Sequence, residues 1–187
     1  VILLGEYDGN DVDVGPFTLS GGEGFLAKLT TDGNVLWAQN SYVGEVTATP
    51  FGEFYAAGQT EAASFALGSF VHQNSGEYDI IIAKYDGSGN PLWMEGMIGA
   101  GDDEITAVTV NPAGELIVGG RFYGSQLLLD TALLTSGDNE VMFLAKFDTT
   151  GRLMWAQVPD CQGGFGEEIT ALALDNQQNL LIGGDFR

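Results

Sequence analysis

The sequence predicts an all-β fold built from repeated four-stranded antiparallel units, and three observations carry that prediction. A lysine–tryptophan segment recurs as FLAKLTTDGNVLWAQ at 25–39, IIAKYDGSGNPLWME at 81–95 and FLAKFDTTGRLMWAQ at 143–157. Alternating with it, EVTATPFGEFYAAGQT from Glu45, EITAVTVNPAGELIVGGRF from Glu104 and EITALALDNQQNLLIGGDF from Glu168 set a period of about 60 residues. Finally, 28 glycines against 5 prolines, with 11% aromatics, suit short strands joined by tight turns. No window carries a capped apolar stripe at helical spacing.

Within one unit the elements follow in order. Residues 104–110, EITAVTV, alternate at period two and end in the turn NPAG. The second strand is ELIVGGRF at 115–122, whose paired glycines signal close backbone approach or a bend. EVMFLAKFD at 140–148 is the third strand and runs into the turn TTGR; LMWAQV at 153–158 is the fourth. The turns containing DG, SGN and TTG place glycine where a positive φ is needed. The stretches between second and third strands, such as AASFALGSFVHQNSGEYD and YGSQLLLDTALLTSGDNE, read as connecting loops.

Four-stranded units of this length in tandem predict a β-propeller, with a partial blade at 1–44, blades at 45–97 and 104–158, and the start of another at 167–187. That amounts to about three blade-equivalents. VILLGEY at the start and LLIGGDF at the end occupy the same strand of the unit. Propellers typically need four to eight blades, so the expectation is a piece of a longer chain, or a ring completed by other chains.

An ordered set of motifs spans nearly the whole chain: an x-x-Ala-Lys strand, a glycine turn, the tryptophan, an acidic glycine-containing loop, then E-I-T-A and G-x-L-[IL]-[IV]-G-G. The set resembles the bacterial seven-bladed β-propeller (SBBP) repeat. Copy one departs from it, with YVGEVTA in place of GAGDDEITA and Ala57-Gly58 in place of the double glycine. The resemblance implies a module of a large secreted bacterial protein, and so a non-enzymatic extracellular or cell-surface scaffold whose partners are other blades, other protein chains, or a protein or carbohydrate ligand. A propeller enzyme acting on polysaccharide and a calcium-stabilised adhesin are the alternatives.

Charge narrows the partners further. Six basic against 26 acidic residues give a net charge of −20, which repels nucleic-acid backbones and anionic membrane surfaces alike. No apolar run approaches the roughly 20 residues of a membrane helix, and VILLGEY lacks the basic flank of a signal peptide.

The repeated residues read as architecture. Lys28, Lys84 and Lys146 sit mid-strand among apolar neighbours and are expected to pair with the acids recurring at similar phase, Glu45, Glu104 and Glu168. Trp37, Trp93 and Trp155 are expected to pack one unit on the next. Acids gathered in loops are candidate Ca²⁺ ligands: Asp8, Asn10, Asp11 and Asp13 in YDGNDVDVG, and Asp102, Asp103 and Glu104, with Glu167 beside the later copy. No other cofactor is expected. His72, the one histidine, reads as a surface or strand-edge residue, and Cys161 as a loop thiol; a lone histidine with no partner order supports no nucleophilic triad and no zinc site.

Overall fold

The computed structural model describes residues 1–187 apart from 23, 43, 75–76, 100, 137–139, 160–167 and 186–187. Among the described residues the fold is all-β: several antiparallel sheets, no helix, and no sheet that closes on itself.

The first sheet comprises β1 (Ile2–Glu6), β4 (Gly24–Leu29) and β5 (Val35–Ser41), with a separate hairpin of β2 (Val12–Val14) and β3 (Phe17–Leu19) between its first two strands. In the second sheet, β6 (Gly44–Ala48), β7 (Phe54–Thr60), β10 (Asp79–Tyr85) and β11 (Pro91–Gly99) lie side by side in chain order, and β8 (Ser64–Leu67) with β9 (Phe70–Gln73) forms its intervening hairpin. The third repeats the pattern with β12 (Glu104–Val110), β13 (Leu116–Phe122), β16 (Val141–Phe147) and β17 (Leu153–Gln157); the hairpin between its second and third strands, β14 (Gln126–Leu129) and β15 (Ala132–Thr135), pairs with β11 and extends the second sheet to six strands. Finally β18 (Glu168–Leu174) pairs with β19 (Leu180–Asp185).

The hairpins correct the reading of 61–78 and 123–140 as loops. SFAL-GS-FVHQ and QLLL-DT-ALLT are strand pairs around two-residue turns, entered by Gly68 at φ 60° and Asp130 at φ 49°. Their alternation is short, so it is easily lost beside the stronger repeat signal.

Strand alternation builds the core. The strand β10 is buried along its whole length because neighbours cover both faces. Ile80 and Ile82 face the third sheet, packing with Leu116, Val118, Phe143 and Phe147. Ile81, Ala83 and Tyr85 face the first, packing with Leu26, Phe54 and Trp37. A third cluster joins Met142, Leu144 and Trp155 to Ile169 and Leu172 of the last strand pair. The double glycine of β13 serves close approach: a Cβ at Gly119 would stand 3.0 Å from the Ile169 side chain, and one at Gly120 would stand 2.9 Å from the Phe143 ring.

Candidate functional site

The two ends of the sheets differ. At one end lie the tight turns, and there the copies agree. Asp86, Asn111, Asp148 and Asp175 each open a turn, the side-chain oxygen accepting the backbone N–H groups two and four residues on. Such local bonds favour turns over continued strand. Trp37 lies against Gly89 of the next sheet, where a Cβ would approach to 3.1 Å, and Trp93 lies against Gly151 in the same way, at 2.9 Å. Both glycines also hold positive φ, 87° and 90°, so two requirements select glycine at once.

The lysines join this end too, but with partners other than those expected. Lys28 donates to the Gly87 carbonyl at 2.5 Å, and Lys84 to the equivalent Thr149 carbonyl at 3.3 Å, so each reaches the turn of the following sheet. Their acids come from within the sheet: Lys84 pairs with Glu53 and Lys146 with Glu115, both at 2.5 Å. Glu45, Glu104 and Glu168 cannot fill that role because they begin their strands at the opposite end. One signal was available in the sequence, since Glu53–Lys84 and Glu115–Lys146 share one sequence separation while the other acids drift.

At the other end, the rim, the copies diverge. His72 is not at the surface: it is buried in β9, with Nε2 at 3.0 Å from Oδ2 of the fully buried Asp79. Its ring occupies the space over Gly96 that a side chain there would fill. Asp103 is fully buried nearby, beside Gly99, with Oδ1 accepting the Tyr123 N–H at 3.3 Å and Oδ2 without a hydrogen-bond partner. Burial, reinforced by the charges of Asp79 and Asp102 against that one N–H, pushes the Asp103 carboxyl up to about 7. Arg121 stands where the other copies have Glu6, Gln59 and Asp185, and it binds Glu104 at 2.6 Å and Glu140 at 2.9 Å. A cavity of about 420 Å³ lies beside these groups, at the junction of second and third sheets.

A larger groove, about 1130 Å³, opens on the same rim between first and second sheets. Tyr42 and Phe65 meet edge to face along it, ring centroids 5.3 Å apart. Tyr7 donates to Asn40 Oδ1 at 2.8 Å on one side, and Tyr78 to Glu61 Oε2 at 3.0 Å on the other. Glu6, Asp8 and Glu61 are exposed at its edge, and the described lining residues include no lysine, arginine or histidine. Hydrogen bonds from the Asn10 side chain and backbone hold the Asp8 carboxyl below its ordinary value.

The candidate calcium ligands are not drawn together. Asp8 accepts from the Asn10 backbone, Asp13 is bonded by Thr18 Oγ1 at 2.7 Å within the β2–β3 hairpin, and Asn10 and Asp11 stay exposed. Asp102 forms a backbone bridge with Tyr78, Asp103 is buried, and Glu104 is engaged by Arg121. Among the described residues no group of three or more His, Cys, Asp or Glu is placed to hold a metal ion. Cys161 and Glu167 lie outside the described residues. Sequence reasoning missed Tyr7, Phe65, Tyr78 and Arg121; for Arg121 the signal was a cation at a position where the repeats otherwise carry Glu, Gln or Asp.

The chain matches no protein-family model and no curated protein sequence.

Proposed function

We infer that the sheets are successive blades of a β-propeller and that the chain serves as a non-enzymatic interaction module, exported to the cell surface or beyond. The observation that carries the propeller reading is the repetition of one contact across two junctions. Lys28 reaches the Gly87 carbonyl and Lys84 reaches the Thr149 carbonyl, with Trp37 and Trp93 seated on Gly89 and Gly151. A constant relation between neighbouring units, with β12 flanked by β6 on one side and β18 on the other, is what radial repetition requires.

The surface location rests on the resemblance to SBBP repeats, with a charge of −20 suited to a solvated exterior. The non-enzymatic reading is supported by the rim. Among the described residues, buried Asp79 is engaged by His72, and Arg121 is held by two carboxylates. The test is incubation with a panel of polysaccharides and measurement of reducing ends and of unsaturated products. No release of reducing ends or unsaturated products is expected; turnover would make the module an enzyme. Labelling of intact producing cells with a membrane-impermeant biotin reagent tests location, and exclusion of the chain from the labelled fraction would contradict it.

A further inference from the structure

We propose that the groove between first and second sheets binds a peptide segment carrying lysine or arginine; this rests on the interaction-module reading and names its partner by chemistry. The groove exists because of one local difference. The β14–β15 hairpin adds to the edge of β11 through Ile98↔Leu128 and Gly99↔Leu127, which joins third sheet to second. The equivalent β8–β9 hairpin makes no such pairing with β5 among the described residues, because β5 ends at Ser41 and Tyr42 turns inward to donate to the Ala56 carbonyl. Phe65, which takes the place of the buried Leu127, is left lining an open space.

The chemistry of that space selects a cation. Three carboxylates, Glu6, Asp8 and Glu61, stand on its edge with no basic side chain among the described lining residues, so an anionic ligand meets only repulsion. A neutral sugar can donate hydroxyls to those carboxylates but leaves their negative charge uncompensated. A guanidinium or ammonium group pairs with Glu6 and Glu61 and lies on the faces of Tyr7, Phe65 and Tyr78, which attract cations through their ring quadrupoles. A volume of about 1130 Å³ is at the upper end of ligand pockets, enough for a few residues of an extended chain.

The experiment is fluorescence anisotropy with a labelled GRGKG peptide at physiological salt, beside its GEGEG counterpart and maltohexaose as a neutral saccharide. The expected result is binding of GRGKG alone, weakened about tenfold or more in the Glu6→Gln/Glu61→Gln double variant, each lost pair contributing on the order of 1 kcal/mol. Asp32→Asn/Asp175→Asn removes the same charge from the turn end and is expected to leave affinity within about twofold. NMR titration of the unaltered chain supplies a readout independent of the variants, with shifts concentrated at Tyr7, Phe65 and Tyr78. Equal weakening by both double variants would reduce the effect to diffuse charge and overturn the proposal, as would shifts away from the groove or no binding of GRGKG. Binding of maltohexaose in its place would overturn the basic-peptide assignment and leave the interaction-module reading standing, whereas cleavage of the saccharide would overturn that reading itself.

Discussion

The junction between second and third sheets is bridged by a hairpin and keeps a cavity of about 420 Å³, whereas the junction between first and second opens into a groove of about 1130 Å³, although both are built from the same repeat. The turn-end contacts are the same in kind at both, a lysine to a turn carbonyl and a tryptophan on a glycine. At the rim they part. The bridged junction has a hairpin paired to its neighbour, buried Leu127 and Leu129, an arginine between two glutamates and a buried carboxyl. Its open counterpart has half-exposed Phe65 and Leu67 and a groove edged by acids. A shared scaffold therefore fixes how units stack, and the second-to-third-strand hairpins decide whether a junction is bridged or opens into a groove.

The largest expected effect comes from the hairpins themselves. Leu127→Ala empties a fully buried position, and a loss of about 2–5 kcal/mol is expected in urea unfolding. Phe65→Ala, at the matching position of the open junction, should cost less than about half as much, since part of that ring already meets water. Equal costs would break the comparison.

A smaller difference separates Arg121 from its counterpart Gln59. Arg121→Ala leaves Glu104 and Glu140 facing each other without their cation, and a loss of about 1 kcal/mol is expected, limited because the Arg121 side chain is 37% exposed. Gln59→Ala should change stability by less than about 0.5 kcal/mol. Raising salt should shrink the Arg121 effect and not the Leu127 effect.

The subtlest probe is pH. Asp103 titrates at about 7 when folded, against an ordinary 3.8. Between those values the folded chain holds a proton that the unfolded chain has released, so this group lowers stability progressively as pH rises from 3.8 to about 7, and no further above. Asp103→Asn removes that slope. Melting temperatures of the variant should therefore gain on those of the unaltered chain between about pH 4 and about pH 8. A constant difference across that range would show that Asp103 does not carry the proton.

The stacking scaffold was legible in the sequence and the rim was not, for a physical reason. EITAVTV, ELIVGGRF, EVMFLAKFD and LMWAQV became β12, β13, β16 and β17 within one residue or so, because period-two alternation and glycine turns act locally and recur in every copy. The acid chosen for Lys84 was wrong because pairing depends on which end of a strand a residue occupies. Burial of His72 depends on Gly96 making room within the second unit, and burial of Asp103 on Gly99 making room where the third unit begins; period-two alternation encodes neither. The groove depends on how far one edge strand runs: β5 stops at Ser41, whereas β11 continues to Gly99 and gains a partner.

Amide hydrogen exchange on the unliganded chain tests the central claim, that one hairpin bridges its junction and the other does not. Leu127 and Leu128 of β14, with Ile98 and Gly99 of β11, are expected to exchange as part of the protected sheet together with β10, while Phe65 and Ala66 of β8 exchange orders of magnitude faster through local opening. Equal protection of β8 and β14 would contradict the account.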